Sequence, residues 1–331
     1  MDVILLTKCL DNKEPFELQP PNKWTAETLE ALSIEFLDVS HNEMFPTKLL
    51  SDKATKVLED LKYLDVAFLL SFEKLSRSAR RSLSYDSVDD SGRLDNEDSN
   101  DRDDSNSKPS GDVTEYNDVD YMKHPLCKAL FIMEKYSHLE SPVDSFVFQL
   151  LCHFGFNDNW LYIFPQLPLK LRSNKRSIIS KTDFTLMDII SFYRAVVVEE
   201  KKTDERDSSG AEAQLVAEAV SAQQANVVKE LWRPTKRSRS LPTSDDNTIM
   251  GIRVCGFYFT FYRIPYSQPL IDAVLNEVVA SETTVVQRCR HAGYDFRNAG
   301  DRKVIVTLLD SLLYQFTYDG EQAQRRLSKT N

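Results

Sequence analysis

The chain has 331 residues, 41% of them hydrophobic and 10% aromatic, and a formal net charge of −10. That is enough apolar material for a substantial core in one large domain or two smaller ones, and no stretch approaches the roughly 20 apolar residues that span a bilayer. An acidic balance argues against a nucleic-acid partner when taken globally, but residues 85–118 hold twelve Asp/Glu against three Lys/Arg, which is −9 of the −10.

In chain order, the opening Met1-Asp2-Val3-Ile4-Leu5-Leu6-Thr7-Lys8 has neither a basic leader nor a long apolar run. It predicts no secretion signal and an intracellular setting, cytoplasmic or nuclear. Residues 24–38 predict a helix running into an extended piece, with Thr25 as cap and Glu27 and Glu30 in the first turn. Residues 51–77 carry apolar side chains at three- and four-residue spacing (Val57, Leu58, Leu61, Leu64, Phe68, Phe72), a helical pattern. The segment from about 82 to 118 is rich in Asp, Ser and Asn and poor in large apolar residues. It cannot bury enough surface to offset its ordering entropy and is expected to be disordered.

Helices are predicted over 126–135 and 141–154, the second opening on Ser141-Pro142 with proline in its first turn. Three strands follow, over 161–171, 177–186 and 193–201, with Ser173-Asn174-Lys175 as the hairpin turn between the first two. A helix over 211–232 and strands over 249–255 and 258–264 come next, and the remainder predicts helices over 270–280 and 302–316. The expected organisation is an N-terminal helical extension (1–84), an acidic disordered linker (85–118) and a core domain (119–331). Its class is α/β bordering on α+β, with a central mixed sheet flanked by helices.

The chemistry concentrates in Lys181-Thr182-Asp183-Phe184 and in Arg194-Ala195-Val196-Val197-Val198-Glu199-Glu200-Lys201-Lys202. Residues two apart on a strand share a face, so Glu199 and Lys201 project together and Glu200 and Lys202 oppositely. If the Asp183 strand pairs alongside, Asp183, Glu199 and Lys201 converge. Two carboxylates that hold Mg²⁺ beside a lysine suit phosphodiester hydrolysis. Spacing alone does not choose between Glu199/Lys201 and Glu200/Lys202. Asp188 is an outside candidate for the aspartate, better taken as a turn residue. Two basic clusters, Lys170-Arg172-Lys175-Arg176-Lys181 and Lys229-Arg233-Lys236-Arg237-Arg239, suit a phosphate backbone.

With these residues in this element order, the chain resembles the PD-(D/E)xK nuclease superfamily, whose core is a helix, three strands, a helix and a fourth strand. The run "DFT…VVVEEKK…EAQLVAEAVSAQQAN…IMGIRVCGFYFTFYRIP" is similar to fungal proteins of this superfamily and to the nuclease-like modules of Crinkler-type effectors, over roughly residues 125–320. The resemblance implies a restriction-endonuclease-like sheet and selects Glu199. Asp183 and Glu199 then serve as Mg²⁺ ligands (Mn²⁺ as substitute) together with the carbonyl of Glu200, and Lys201 positions the nucleophile or neutralises the phosphate. It further implies an acidic residue on the first helix, Glu140 or else Asp144, and a polar residue on the helix after the third strand, Gln214. Lys170, Lys175, Arg176, Lys229, Arg233 and Arg237 are the expected backbone contacts, with DNA the favoured partner and a homodimer compatible with the pattern. Thr182 stands where the motif's name has proline.

A different class competes with this one. Charged residues two apart at a strand end are commonly a solvated terminus, and a fold does not fix an activity. The alternative is a catalytically inactive nuclease-like module that binds nucleic acid or a protein partner, in the manner of an effector. The five cysteines (Cys9, Cys127, Cys152, Cys255, Cys289) form no CxxC pair and the five histidines are dispersed, so neither a zinc site nor a disulfide framework is expected. Phe257, Phe259 and Phe261 are expected in the sheet core rather than as a base-stacking platform.

Overall fold

A computed structural model of the chain describes residues 17–45, 50–61, 125–136, 139–158, 161–189, 194–201, 209–232 and 248–328. Between 194 and 201 only the side chain of Val198 is described, and the side chains of α6 and α8 are described up to 228 and 316. The elements run from a 3₁₀ turn (Pro21–Lys23) through α1 (Ala26–Ala31), β1 (Ile34–Val39), α2 (His41–Met44) and α3 (Asp52–Leu61). They continue with α4 (Pro125–Lys135), α5 (Ser141–Phe154), β2 (Leu161–Pro165), β3 (Pro168–Arg172), β4 (Ser177–Lys181), β5 (Phe184–Asp188) and β6 (Arg194–Lys201). Last come α6 (Ser209–Trp232), β7 (Ile249–Cys255), β8 (Tyr258–Ile264), α7 (Gln268–Asn276), β9 (Thr284–Asp295) and α8 (Ala299–Ser328).

Seven strands form one mixed sheet in the order β1-β9-β8-β7-β6-β5-β2. The pairs β1/β9 and β6/β7 are parallel and the others antiparallel. Strand alternation sorts the apolar residues into two cores. One face carries Ile163, Phe184, Leu186, Val198, Ile252, Val254, Phe259 and Phe261, packed on residues of α3, α4, α5 and α8. The other carries Ile34, Ile249, Tyr262, Ile264 and Val286, packed on residues of α1, α6 and α7. Phe257, Phe259 and Phe261 are therefore core, as expected, at 3%, 1% and 1% exposure.

Local chemistry accounts for the element ends. Thr25 and Thr28 close a capping box on α1. Pro142 occupies the first turn of α5, and Gly155 ends that helix at φ 86, a left-handed position that glycine adopts without strain. Gly251 lets α6 approach β7, since a Cβ there would lie 3.0 Å from Leu215 Cδ2 and 3.2 Å from Tyr262 Cβ.

Three expectations are corrected. The strands expected over 161–171 and 177–186 each divide in two, because Gln166 turns the chain at φ 49 and its amide bonds the carbonyl of Asp183. The hairpin β3/β4 thus leaves the main sheet as a separate two-stranded ribbon, with its turn at 173–175 as predicted. The stretch between α7 and α8, read as helical, contains the 12-residue strand β9. The N-terminal segment is not only a helical extension, because β1 pairs with β9 as an edge of the main sheet. The continuation of α3 to residue 77 and the acidic segment 85–118 lie outside the described residues.

This integration predicts that a chain cut to 119–331 does not fold cooperatively. It loses Leu18, Trp24, Leu29, Leu32 and Ile34 from one core and Met44, Phe45, Val57 and Leu61 from the other. At about 1.5–3 kcal/mol per buried large apolar side chain, the loss is on the order of the whole 5–15 kcal/mol net stability of a domain. Thermal unfolding followed by circular dichroism checks this, and a cooperative transition near that of the full chain would contradict it.

Candidate active site

Asp183 directly precedes β5 and is half-buried. Phe184 pairs with Val198 in the antiparallel β5/β6 ladder, so continuing the register sets Asp183 opposite Glu199. Directly opposite antiparallel residues have Cα atoms about 4.5–5.5 Å apart. Phe184 and Val198 both belong to the core shared with α5 and α8. By alternation, positions 183, 199 and 201 fall on the other face, the one covered by α6, and position 200 falls with Val198. The register thus pairs Asp183 with Glu199 rather than with Glu200. The side chains of Glu199, Glu200 and Lys201 lie outside those described.

The helix after β6 is buried almost all round from Ala211 to Gln224. Gln214, the polar residue expected on this helix, donates from Nε2 to Glu218 Oε1 at 3.1 Å. Glu218 is fully buried and also accepts from Ser180 Oγ at 3.3 Å. Thr182, which stands at the proline position, is buried with its hydroxyl 2.7 Å from that of Thr185. It lies in the link between β4 and β5. Glu140 is the exposed N-cap residue of α5, and Asp144 lies half-buried in that helix's first turn. Asp188 is the last residue of β5, paired with Leu161 rather than free in a turn.

Beside this acidic pair lies a charged cluster that the sequence reading did not find. Glu212, 6% exposed, accepts from Tyr262 Oη at 2.6 Å and from Arg288 Nη1 at 2.9 and 3.2 Å. Arg288 also donates to Asp38 at 2.7 and 3.2 Å and stacks over Phe36. Burial opposes the charge of Arg288, but its hydrogen bonds to Asp38 and Glu212 more than offset this and raise its pKa above the ordinary value. Its hydrogen bond holds Asp38 below the usual carboxylate range. Burial and the Glu212 charge push the Tyr262 hydroxyl well up, so it remains a donor. Arg253 lies 3.9 Å from Glu212 and donates to the His291 carbonyl at 3.4 Å. One signal was present in the sequence: Arg253 interrupts the apolar run from Ile249 to Cys255.

The expected backbone contacts divide. Lys170 is exposed on β3 and lines, with Arg172, Asn174, Lys175 and Arg176, a depression of about 420 Å³ at the hairpin turn. Arg176 is already engaged by Glu17 at 2.9 Å and by Glu277 at 3.2 Å, and Lys175 lies 3.6 Å from Glu277. Burial opposes ionisation of Glu277, but hydrogen bonds from Ser173 and Arg176 and the nearby cations hold its pKa below the ordinary value. Arg233 and Arg237 and the side chain of Lys229 lie outside the described residues. Among the described residues no three His, Cys, Asp or Glu side chains stand close enough to hold a metal ion, a set that does not include Glu199 and Glu200. No helix among them is long and apolar enough to cross a membrane. No family model matches the chain, and no curated protein matches it significantly.

The ion cluster predicts a stability order. Glu212→Gln removes the charge that Arg288 and Arg253 share and costs about 3 kcal/mol, whereas Tyr262→Phe removes one hydrogen bond to a carboxylate and costs about 1.5 kcal/mol. Urea midpoints of the two variants check the order, and a Glu212→Gln protein as stable as wild type would contradict it.

Proposed function

We propose that the chain is a Mg²⁺-dependent nuclease that hydrolyses phosphodiester bonds of nucleic acid, DNA foremost, with Mn²⁺ able to replace Mg²⁺. The observation that supports this is the register of β5 on β6, Phe184 against Val198, which when continued by one residue brings Asp183 across from Glu199 on the face under α6. The order α5, then β2, β5 and β6, then α6 and β7 agrees with a helix, three sheet strands, a helix and a fourth strand, with β3/β4 as an insertion. That agreement supports a restriction-endonuclease-like core of the PD-(D/E)xK type.

The donor set fits the ion. Two carboxylates on facing strands and the backbone carbonyl of Glu200 are all hard oxygen donors, which Mg²⁺ prefers. Bound there, Mg²⁺ supplies a water of lowered pKa and a positive charge next to the phosphate. The residues do the rest. Asp183 and Glu199 fix the position of the cation, Lys201 orients the attacking water or neutralises a phosphate oxygen, and Gln214, held by Glu218, lends a polar group from above. Lys170 and Lys175 grip the backbone without reading sequence. A module that binds without cutting is the alternative, and the engagement of Arg176 and Lys175 by carboxylates favours it to the extent that less free charge remains for a strand.

Cleavage of plasmid and oligonucleotide DNA in Mg²⁺ separates the two. Asp183→Ala, Glu199→Ala and Lys201→Ala are each expected to lower the rate by about 10²- to 10³-fold or more with folding intact. Glu200→Gln keeps its carbonyl and lies on the opposite strand face, so it should stay within about threefold of wild type. Binding without cleavage in both Mg²⁺ and Mn²⁺ would leave the inactive module, and equal loss in Glu199 and Glu200 variants would refute the register argument.

A further inference from the structure

The β6/β7 ladder is parallel and in register, with Glu199 paired to Arg253, and Arg253 is paired in turn to Thr260 on β8. Glu199, Arg253 and Thr260 therefore occupy one transverse row on the face under α6, and the β5 register continued by one residue adds Asp183 to it. The Arg253 side chain is 5% exposed. Its charge balance is unusual. Among the described side chains, the carboxylate beside it is Glu212, whose oxygens are committed to Arg288 and Tyr262 at 2.6–3.2 Å and stand 3.9 Å from Arg253. Arg288 takes Asp38 as well. Among the described side chains Arg288 hydrogen-bonds both Glu212 and Asp38, and Arg253 hydrogen-bonds neither. Among the described residues Arg253 has one hydrogen bond, to the His291 carbonyl at 3.4 Å.

A buried guanidinium is costly unless oxyanions meet it, and the described carboxylate beside this one is hydrogen-bonded elsewhere; its planar fork is built to take two oxygens of one oxyanion. We propose that Arg253 is the phosphate-binding residue of this site. It balances the Asp183–Glu199 pair before substrate arrives and holds two non-bridging oxygens of the phosphodiester once a cation occupies the carboxylates. The assignment rests on the nuclease reading for its substrate class. The Glu212–Arg288–Asp38 cluster acts through Arg253, presenting a distant, already-paired carboxylate that steadies the guanidinium without capturing it.

The test is calorimetric titration of the full chain with a nucleoside 3′,5′-bisphosphate in Ca²⁺, alongside Arg253→Gln and Arg253→Lys variants and a parallel plasmid-cleavage assay in Mg²⁺. Arg253→Gln is expected to weaken bisphosphate binding by about 10- to 100-fold, the loss of a charge-assisted pair. Arg253→Lys keeps the charge without the fork and should fall between, and it carries the test alone if the Gln variant does not fold. Wild-type protein that binds no bisphosphate, or a folded Arg253→Lys protein that binds as wild type does, overturns the assignment, and plasmid cleavage by wild type in that case leaves the nuclease reading standing. Arg253-dependent bisphosphate binding without any cleavage upholds the assignment and removes the nuclease reading instead.

Discussion

A carboxylate that enters the interior must meet its cations there, and the second face of this sheet is organised around that requirement. Glu212 sits in the first turns of a helix buried on nearly every side, where water cannot solvate it. Its partners come from β7, β8 and β9, and through Arg288 the chain reaches Asp38 on β1. Four strands and one helix are thereby fixed in position by one set of charges. An apolar cluster of equal volume would cost less to bury. It would not specify which strand must lie at which distance, whereas hydrogen bonds of 2.6–2.9 Å from Tyr262 and Arg288 to a single oxygen do.

The same requirement explains what could be read from the sequence and what could not. Strands β7 and β8 and helix α5 follow apolar patterns that are locally complete, and their predicted limits coincide with those observed. Strand β9 does not. Its inward positions include Arg288, a residue that counts as polar in any pattern and is 9% exposed only because Glu212 and Asp38, far away in sequence, receive it. β1 was legible as an extended piece, but its place at the sheet edge depends on pairing with β9. The break between β2 and β3 rests on a positive φ at Gln166, a residue with no special preference for it.

For the site, strand parity was legible and partnership was not. Alternation within 194–202 yields two equally good Glu-Lys pairs, and only the neighbour Phe184–Val198 with its core tells the two faces apart. Gln214 was readable as a polar residue on a buried helix. That it leans on Glu218 was not, since Glu212 and Glu218 look alike in the sequence and lie in different surroundings, one over the arginines and one over Ser180. The basic hairpin residues were readable as cations, but the carboxylates that engage two of them come from positions 17 and 277.

The irregularity of β9 completes the physical account. Phe259 pairs with Tyr294 and Phe261 with Cys289, so two steps along β8 are matched by five along β9. The extra residues form a bulge with Arg290 at φ 50 and Gly293 at φ 72. A left-handed arginine is an expense that a regular ladder avoids. Here the detour carries His291 over the sheet, sets its carbonyl against Arg253 and leaves its imidazole 62% exposed with Nδ1 3.9 Å from Glu212. Arg290 itself is tied back to Asp301 at 2.7 Å, which secures the bulge to the start of α8. Bulges that re-aim side chains are frequent beside functional sites. This one aims a backbone acceptor at the arginine that shares a row with the acidic pair. Local strain in β9 is thus coupled through one guanidinium to the strands β5 and β6 where the chemistry is proposed.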